Sequence, residues 1–176
     1  LEFRRVLFRS LEAGSVGMLS VGATCAAAGI IVGVVTLTGL GLKFSSIVLQ
    51  YADSATRVVM SVLGAVGFEQ TASLLHDVKL LLTAVMTSLI VWIVGLAVPV
   101  TASYIICAVI AAPALMQLGV ADYAAHMFIF YYAVLSEVSP PTALSPFAAA
   151  AITGGDPYKT TLQSWKYTMP AFLVPF

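Results

Sequence analysis

Glu137 and the adjacent prolines 140 and 141 are the residues of this chain with the clearest chemical potential. They lie in the stretch 131–147, which is otherwise apolar enough for a bilayer. A charge at membrane depth costs about 2.5 to 3.5 kcal/mol on insertion scales, and each proline removes a backbone donor. Such residues are tolerated there where protein or a water-filled cavity surrounds them, so the pattern favours a transport site. The alternative is a structural role, in which Glu137 accepts hydrogen bonds from amides freed by the break.

The composition places the chain in a membrane. Hydrophobic residues make up 60% of it, charged residues 9%, and the mean hydropathy is +1.01, whereas soluble domains carry roughly 25% charged residues. The formal net charge is zero, and without a basic run nucleic-acid binding has no support. Cys25 and Cys107 lie in apolar runs with no neighbouring His or Cys, which is typical of small core residues. We predict an all-α polytopic membrane protein.

The spacing of charged residues divides the chain into elements. No charge occurs from Ala13 to Leu42 or from Leu80 to Ala121, and after Asp122 only Glu137 intervenes before Asp156. A membrane-spanning helix needs about 20 apolar residues. The predicted elements are a helix at about 14–42, a polar or interfacial region at 43–79 with a short helix around 58–66, an interrupted hairpin at 80–119, a broken helix at 122–153, and the start of a last helix at 158–176.

A first helix break is expected within Gly95–Tyr104, because the apolar block 80–121 has about twice the length of one span and no charged loop. Pro99 cannot donate to the carbonyl one turn earlier, and Thr101 and Ser103 add hydroxyls. Freed carbonyls and hydroxyls can coordinate a hard cation such as sodium. The alternative is a kinked helix pair in which the hydroxyls only satisfy the freed backbone.

A second break is expected at Ser136–Pro141, between an aromatic helix and a helix of small residues. Two interrupted hydrophobic segments in tandem indicate a binding site near the bilayer midplane in secondary transporters. Thr142 directly follows the prolines, where a new helix could begin with its positive end facing the cavity. An anionic substrate would be favoured there.

Both ends of the chain look cut. Residues 1–10 hold three of the eight basic residues, and bases resembling a common sequencing adapter can encode Arg4 to Ser10. We therefore predict a non-native scar at 1–10, with the basic region of a signal peptide as the alternative. Because residues 171–176 also stop within an apolar segment, the chain is expected to be a fragment, with 11–176 belonging to a permease domain.

Several motifs resemble one transporter family. Ala26–Ser45 looks like the DctM-like large permease subunit of tripartite ATP-independent periplasmic (TRAP) transporters. Gly95–Tyr104 is similar to that family's Gly-Met-Gly-Leu-Pro-Thr-Thr-Ala-Ala-Tyr, and Ser136–Thr142 resembles its Ser-Asp-Ile-Thr-Pro-Pro-Val. Residues 125–132 and 155–157 also fit. The resemblance covers about residues 15–176 and is closest to the fused permeases, of which this chain would be a C-terminal fragment.

The resemblance implies a multi-pass permease of the bacterial inner membrane that is not an enzyme. It would be half of an elevator-type scaffold, with a re-entrant hairpin around Gly95–Tyr104 and a broken helix around Ser136–Thr142. It would import a small organic anion, of carboxylate type, by symport with sodium and without another cofactor. The implied partners are a periplasmic solute-binding protein, the remaining permease helices, fused or separate, and the lipid bilayer.

The resemblance also implies site residues. Together with those drawn from the breaks, the candidates for substrate or ion binding are Gly95, Pro99, Thr101, Ser103, Ser136, Glu137, Ser139, Pro140, Pro141 and Thr142. Sodium would be held by Gly95, Thr101, Ser136 and Glu137. Among the departures from the family pattern, three bear on the implied sodium site: Ala97 replaces its second Gly, Val100 replaces its first Thr after Pro, and Glu137 replaces Asp with a longer arm.

The sequence leaves three alternative functions. The nearest is a tricarboxylate carrier that uses the same tripartite logic. An intramembrane enzyme would need a nucleophile or paired carboxylates at bilayer depth, and one carboxylate is visible in the sequence there. A non-transporting membrane scaffold would not need a charge beside two prolines in mid-membrane.

Overall fold

The computed structural model describes residues 2–67, 69, 71–141 and 143–176. Within these ranges the chain is helical and contains no β-strand. The elements are α1 (Glu2–Thr38), α2 (Leu40–Ala65), α3 (Ala72–Gly95), α4 (Val100–Met116), α5 (Asp122–Ser136), α6 (Leu144–Thr153), α7 (Pro157–Thr168) and a 3₁₀ helix (Met169–Phe172). The all-α class predicted from the sequence is confirmed.

A sharp bend separates α1 from α2. Gly39 lies between them with φ of +66°, a left-handed conformation that glycine adopts without steric cost. The segments Cys25–Thr38 and Leu40–Ala65 meet at 76°. The predicted helix at 14–42 therefore differs from α1, which ends at Thr38 and extends back to Glu2 through most of the presumed scar.

The segment 43–79 is more helical than the sequence suggested. The short helix expected around 58–66 is the end of the 26-residue α2. The buried residues of α2 recur every three or four positions, which is the period of an amphipathic helix: Gly41, Ser45, Val48, Ala52, Thr56 and Met60. The positions of the charged residues did not predict this buried face, because Lys43 and Arg57 lie outside it and are exposed. Asp53 pairs with Lys79 of α3 at 2.8 Å.

Helix α3 buries hydroxyls and exposes leucines. Thr83, Thr87 and Ser88 are buried in the bundle, while Leu81, Leu89 and Ile93 are each about half exposed. This is the reverse of a soluble helix, and it suits a helix whose outer face contacts lipid. Among the described residues α3 is long and apolar enough by itself to span a membrane, and the bent segments 25–38 and 40–65 pass the same test as a pair.

The core lies where α3, α4 and α5 pack together. Its buried residues are Val91, Cys107, Ala111, Ala112, Leu115, Ala125, Ile129, Tyr132, Ala133 and Leu135. Many of them are alanines, which let helix backbones approach closely.

Helix α7 has an N-cap. Asp156 Oδ1 accepts a hydrogen bond from the Lys159 amide at 2.7 Å, and Pro157 occupies the first turn. The helix expected from 158 thus begins at Pro157 and passes into the 3₁₀ helix after Thr168.

Helix α2 covers a weak point of α4. Pro113 lies inside α4 and cannot donate to the carbonyl of Val109, four residues earlier. Gly41 of α2 packs against that carbonyl so closely that a Cβ at Gly41 would lie 2.9 Å from Val109 O. The Ser45 hydroxyl donates to Ile110 O at 3.0 Å. No residue with a hydroxyl group is close to Pro113 in the sequence. The Ser45 hydroxyl reaches this part of α4 because α2 packs against it.

We therefore predict that Gly41→Ala destabilises the protein, by about 1 to 2 kcal/mol after helix propensity is taken into account. Gly33→Ala is the matched control, since a Cβ at Gly33 meets nothing within 4 Å. The measurement is the thermal unfolding midpoint in detergent. Gly41→Ala should lower it, whereas Gly33→Ala should leave it unchanged or raise it; equal midpoints for both variants would contradict the prediction.

Candidate functional site

The ends of α3 and α5 meet. Helix α3 ends at Gly95 and α5 ends at Ser136, and both residues are buried. A Cβ placed on Gly95 would lie 2.6 Å from Ser136 Cβ and closer still to its hydroxyl. Real Cβ atoms do not approach so closely, so only glycine allows this contact. The two interrupted regions singled out in the sequence are neighbours in space.

Ser103, in the first turns of α4, belongs to the same place. It is 0% exposed, and its Oγ would lie 3.6 Å from a Cβ on Gly95. The Ser103 hydroxyl donates to the carbonyls of Val98 and Pro99, at 3.1 and 3.2 Å. Because α4 begins only at Val100, these carbonyls lie where the chain turns from α3 into α4. We call Gly95, Ser103 and Ser136 the junction.

Two serines shape the second break. Ser136 Oγ donates to Ala133 O at 2.7 Å, and Ser139 Oγ donates to Leu135 O at 3.0 Å. Each hydroxyl proton is thereby directed at a carbonyl of the last turn of α5, and Leu135 O accepts from the Val138 amide as well. The oxygen lone pairs of both serines are left to accept. Ser139 uses one for the indole N–H of Trp92, at 2.9 Å.

Glu137 lies beside the junction and is half-buried. The Ser145 hydroxyl of α6 donates to Glu137 Oε2 at 3.3 Å. The carboxylate thus faces the start of α6, the helix that follows the Pro-Pro segment. It stands between the end of α5 and the beginning of α6.

The remaining predicted site residues are more peripheral. Pro99 and Thr101 are exposed at the first break, Pro141 is exposed at the second, and Pro140 is half-buried. Thr142 lies outside the described residues. Thr101 is therefore less enclosed than Gly95 and Ser136, with which the sequence grouped it as a sodium ligand.

Sequence reasoning missed two residues, Trp92 and Ser145. Trp92 lies three positions before Gly95, so one helical turn places both on the same side of α3. Ser145 lies eight positions after Glu137, across a segment without helical periodicity. The first could have been found from spacing alone, whereas the second depends on how the Pro-Pro segment folds back.

The site offers neutral oxygen atoms and one carboxylate. Hydroxyl, carbonyl and carboxylate oxygens are ligands that hard cations prefer. In the part of the chain that the structure describes, no three His, Cys, Asp or Glu side chains lie close enough to hold a metal ion. The junction and Glu137 therefore offer oxygen atoms at helix ends inside a helical bundle, an arrangement that can hold a hard cation.

Comparison with known proteins identifies the family. Residues 1–175 match the family model described as tripartite ATP-independent periplasmic transporter, DctM component, and the chain therefore belongs to this family. The match includes residues 1–10, the segment expected to be a scar. No curated protein and no solved structure gave a significant match.

The resemblance to the large permease component is confirmed by this match. The family consists of integral inner-membrane permeases, which generally work with a periplasmic solute-binding protein and are not known as enzymes. A helical chain with an apolar outer face fits such a permease.

Proposed function

We propose that this chain forms part of a secondary active transporter that imports a small organic anion, of carboxylate type, together with sodium. The observation that supports this most directly is the meeting of two helix ends at Gly95 and Ser136. Because Gly95 lets the ends of α3 and α5 approach so closely, polar groups from both helix breaks can belong to one site.

The electrostatics of the helix ends favour a cation at the junction. The C-terminal ends of α3 and α5 converge there, and each carries a partial negative charge. Their last carbonyls, among them those of Val94 and Ser136, accept from amides of the following turn and keep a second lone pair. Ser103 and Ser136 add hydroxyl oxygens whose protons point at backbone carbonyls. A sodium ion would be held by these oxygens, with Glu137 supplying the negative charge.

The helices that follow the breaks favour an anion. Helix α4 begins at Val100 and α6 at Leu144, each just after an interruption. The N-terminal end of a helix carries a partial positive charge and free amides, which suits a carboxylate. Bound sodium would offset part of the charge of Glu137, which would otherwise repel an anionic solute. This dependence of solute binding on sodium is the basis of the proposed symport.

The same elements suggest how the permease is placed in the membrane. We assign the turn between α3 and α4 to the tip of a re-entrant hairpin and α5 and α6 to a broken helix; α3, with 24 residues, is longer than a re-entrant arm needs. Helix α6 has 10 residues, about half of a full span of about 20, whereas α4 with 17 residues lies near the lower limit of a span. Half-length helices such as α6 are the usual components of transporter sites at the bilayer midplane. A periplasmic solute-binding protein would deliver the solute, and an elevator-type movement of this unit would carry it across the membrane.

The test is uptake into proteoliposomes by the full-length permease and its neighbouring binding protein. We expect accumulation of a labelled organic anion under an inward sodium gradient, and none with a proton gradient or ATP alone. Omitting the binding protein should reduce uptake to background. Equal accumulation without sodium would refute the coupling, and accumulation without the binding protein would refute the proposed partner.

A further inference from the structure

We infer that Trp92 is a positioning residue of the proposed transport site, because its indole N–H holds Ser139 and thereby fixes the backbone of the second helix break. The inference rests on the proposed function and extends it to a residue that is not among the candidate ligands. It starts from the hydrogen bond between Trp92 Nε1 and Ser139 Oγ, which measures 2.9 Å and joins residues 47 positions apart.

This hydrogen bond belongs to a chain of two. The indole donates to Ser139 Oγ, and Ser139 Oγ donates to Leu135 O at 3.0 Å. Ser139 is 0% exposed. Successive hydrogen bonds polarise one another in a low-dielectric interior, so the bond from the indole strengthens the bond to the helix end. Without the indole, only the bond to Leu135 O would orient the Ser139 hydroxyl.

The break is held at two points, one helical turn apart. Trp92 contacts Ser139, and Gly95 contacts Ser136. Trp92 precedes Gly95 by three residues, whereas Ser139 follows Ser136 by three residues. The two chain segments therefore run in opposite directions past each other. The Gly95 contact sets how close the two helix ends lie. The Trp92 contact sets where the chain runs after Ser136, and Glu137 lies between the two contacts.

The indole ring is itself in contact with the C-terminal segment. Phe172 meets Trp92 edge to face, with ring centroids 6.1 Å apart. The carbonyls of Ala171 and Phe172 accept hydrogen bonds from the hydroxyls of Tyr131 and Tyr132, respectively. The C-terminal segment therefore fixes the ring, and the ring fixes Ser139. Trp92 thus has the geometry of a support for the ligands and need not contact ion or solute.

The prediction concerns sodium affinity. Trp92→Phe keeps a ring against Phe172 and removes the N–H, and Ser139→Ala removes the acceptor. Loss of one hydrogen bond should raise the sodium concentration for half-maximal uptake by about threefold to tenfold. Ser139→Ala removes this bond and also the bond to Leu135 O, so the double variant should resemble Ser139→Ala alone rather than show the product of the two effects. The maximal rate at saturating sodium should change by less than the affinity.

Trp165→Phe is the matched control. In the described part of the chain the indole nitrogen of Trp165 is buried without a hydrogen-bond partner, so the same substitution there removes no such bond. Uptake would be measured over a range of sodium concentrations with the full-length permease and its binding protein in proteoliposomes. Thermal midpoints in detergent would be measured in parallel. Trp165→Phe should keep the wild-type sodium dependence.

The outcomes separate this inference from the proposed function. Sodium-independent uptake by the wild type would overturn both. Sodium-dependent wild-type uptake with unchanged half-saturation in Trp92→Phe would overturn the positioning role alone. Fully multiplicative effects of Trp92→Phe and Ser139→Ala would show that they act separately, and a lower thermal midpoint with unchanged sodium affinity would make Trp92 a purely structural residue.

Discussion

Gly95→Ala should reduce sodium-driven uptake by about tenfold or more, because overpacking of this kind costs about 1–3 kcal/mol. A Cβ on Gly95 would overlap both side-chain atoms of Ser136. The two helix ends would have to separate, and the distances between the oxygen atoms of the proposed sodium site would change. Initial uptake rates at a fixed sodium gradient, normalised to the amount of permease in the vesicles, measure the effect.

Gly29→Ala provides the control for Gly95→Ala, since a Cβ on Gly29 meets nothing within 4 Å. A second variant separates packing from ligation. Combining Gly95→Ala with Ser136→Gly makes room for the new methyl group but removes the Ser136 hydroxyl. This double variant should have the thermal midpoint of the wild type, whereas its sodium affinity should stay below that of the wild type. Wild-type uptake by Gly95→Ala would contradict the close approach of the two helix ends, and full recovery of sodium affinity in the double variant would contradict a ligand role for Ser136.

Glu137→Ala should bring uptake to background while the permease still inserts in the membrane. Glu137 is the one carboxylate in the chain between Asp122 and Asp156, and it lies half-buried where α5 ends. Removing it takes away the negative charge that we assign to sodium binding. Uptake in proteoliposomes and the amount of extracted permease together measure the effect. Normal sodium-driven uptake in this variant would reduce Glu137 to a structural role.

Two further substitutions separate charge from hydrogen bonding at this position. Glu137→Gln keeps an acceptor for the Ser145 hydroxyl but loses the charge, so it should fail like alanine. Ser145→Ala removes a hydrogen bond of 3.3 Å and should change uptake by no more than about threefold. Glu69→Ala, at an exposed position between α2 and α3, is the control for loss of an acidic residue. If Glu137→Gln transports normally, the side chain acts through hydrogen bonding alone.

The helical class and the family could be predicted from sequence because they depend on local or cumulative properties. An apolar composition favours a membrane protein, and proline weakens a helix through its own local geometry, as at Pro99 and at the prolines 140 and 141, although Pro113 stays inside α4. The structure has helix ends at Gly95 and Ser136, beside these residues. The extent of α2 was missed because charge counting ignored its buried face, although the sequence contains that periodicity.

The sequence by itself determined that this is a helical membrane chain of the DctM family, interrupted in two places that carry hydroxyls and one acid. The tertiary structure alone decided which of these groups meet. Gly95 reaches Ser136, Trp92 reaches Ser139 and Ser45 reaches Ile110, while Thr101 stays exposed. Contacts between residues so distant in the chain depend on where helices cross and how closely their side chains let them approach. No local pattern encodes that distance.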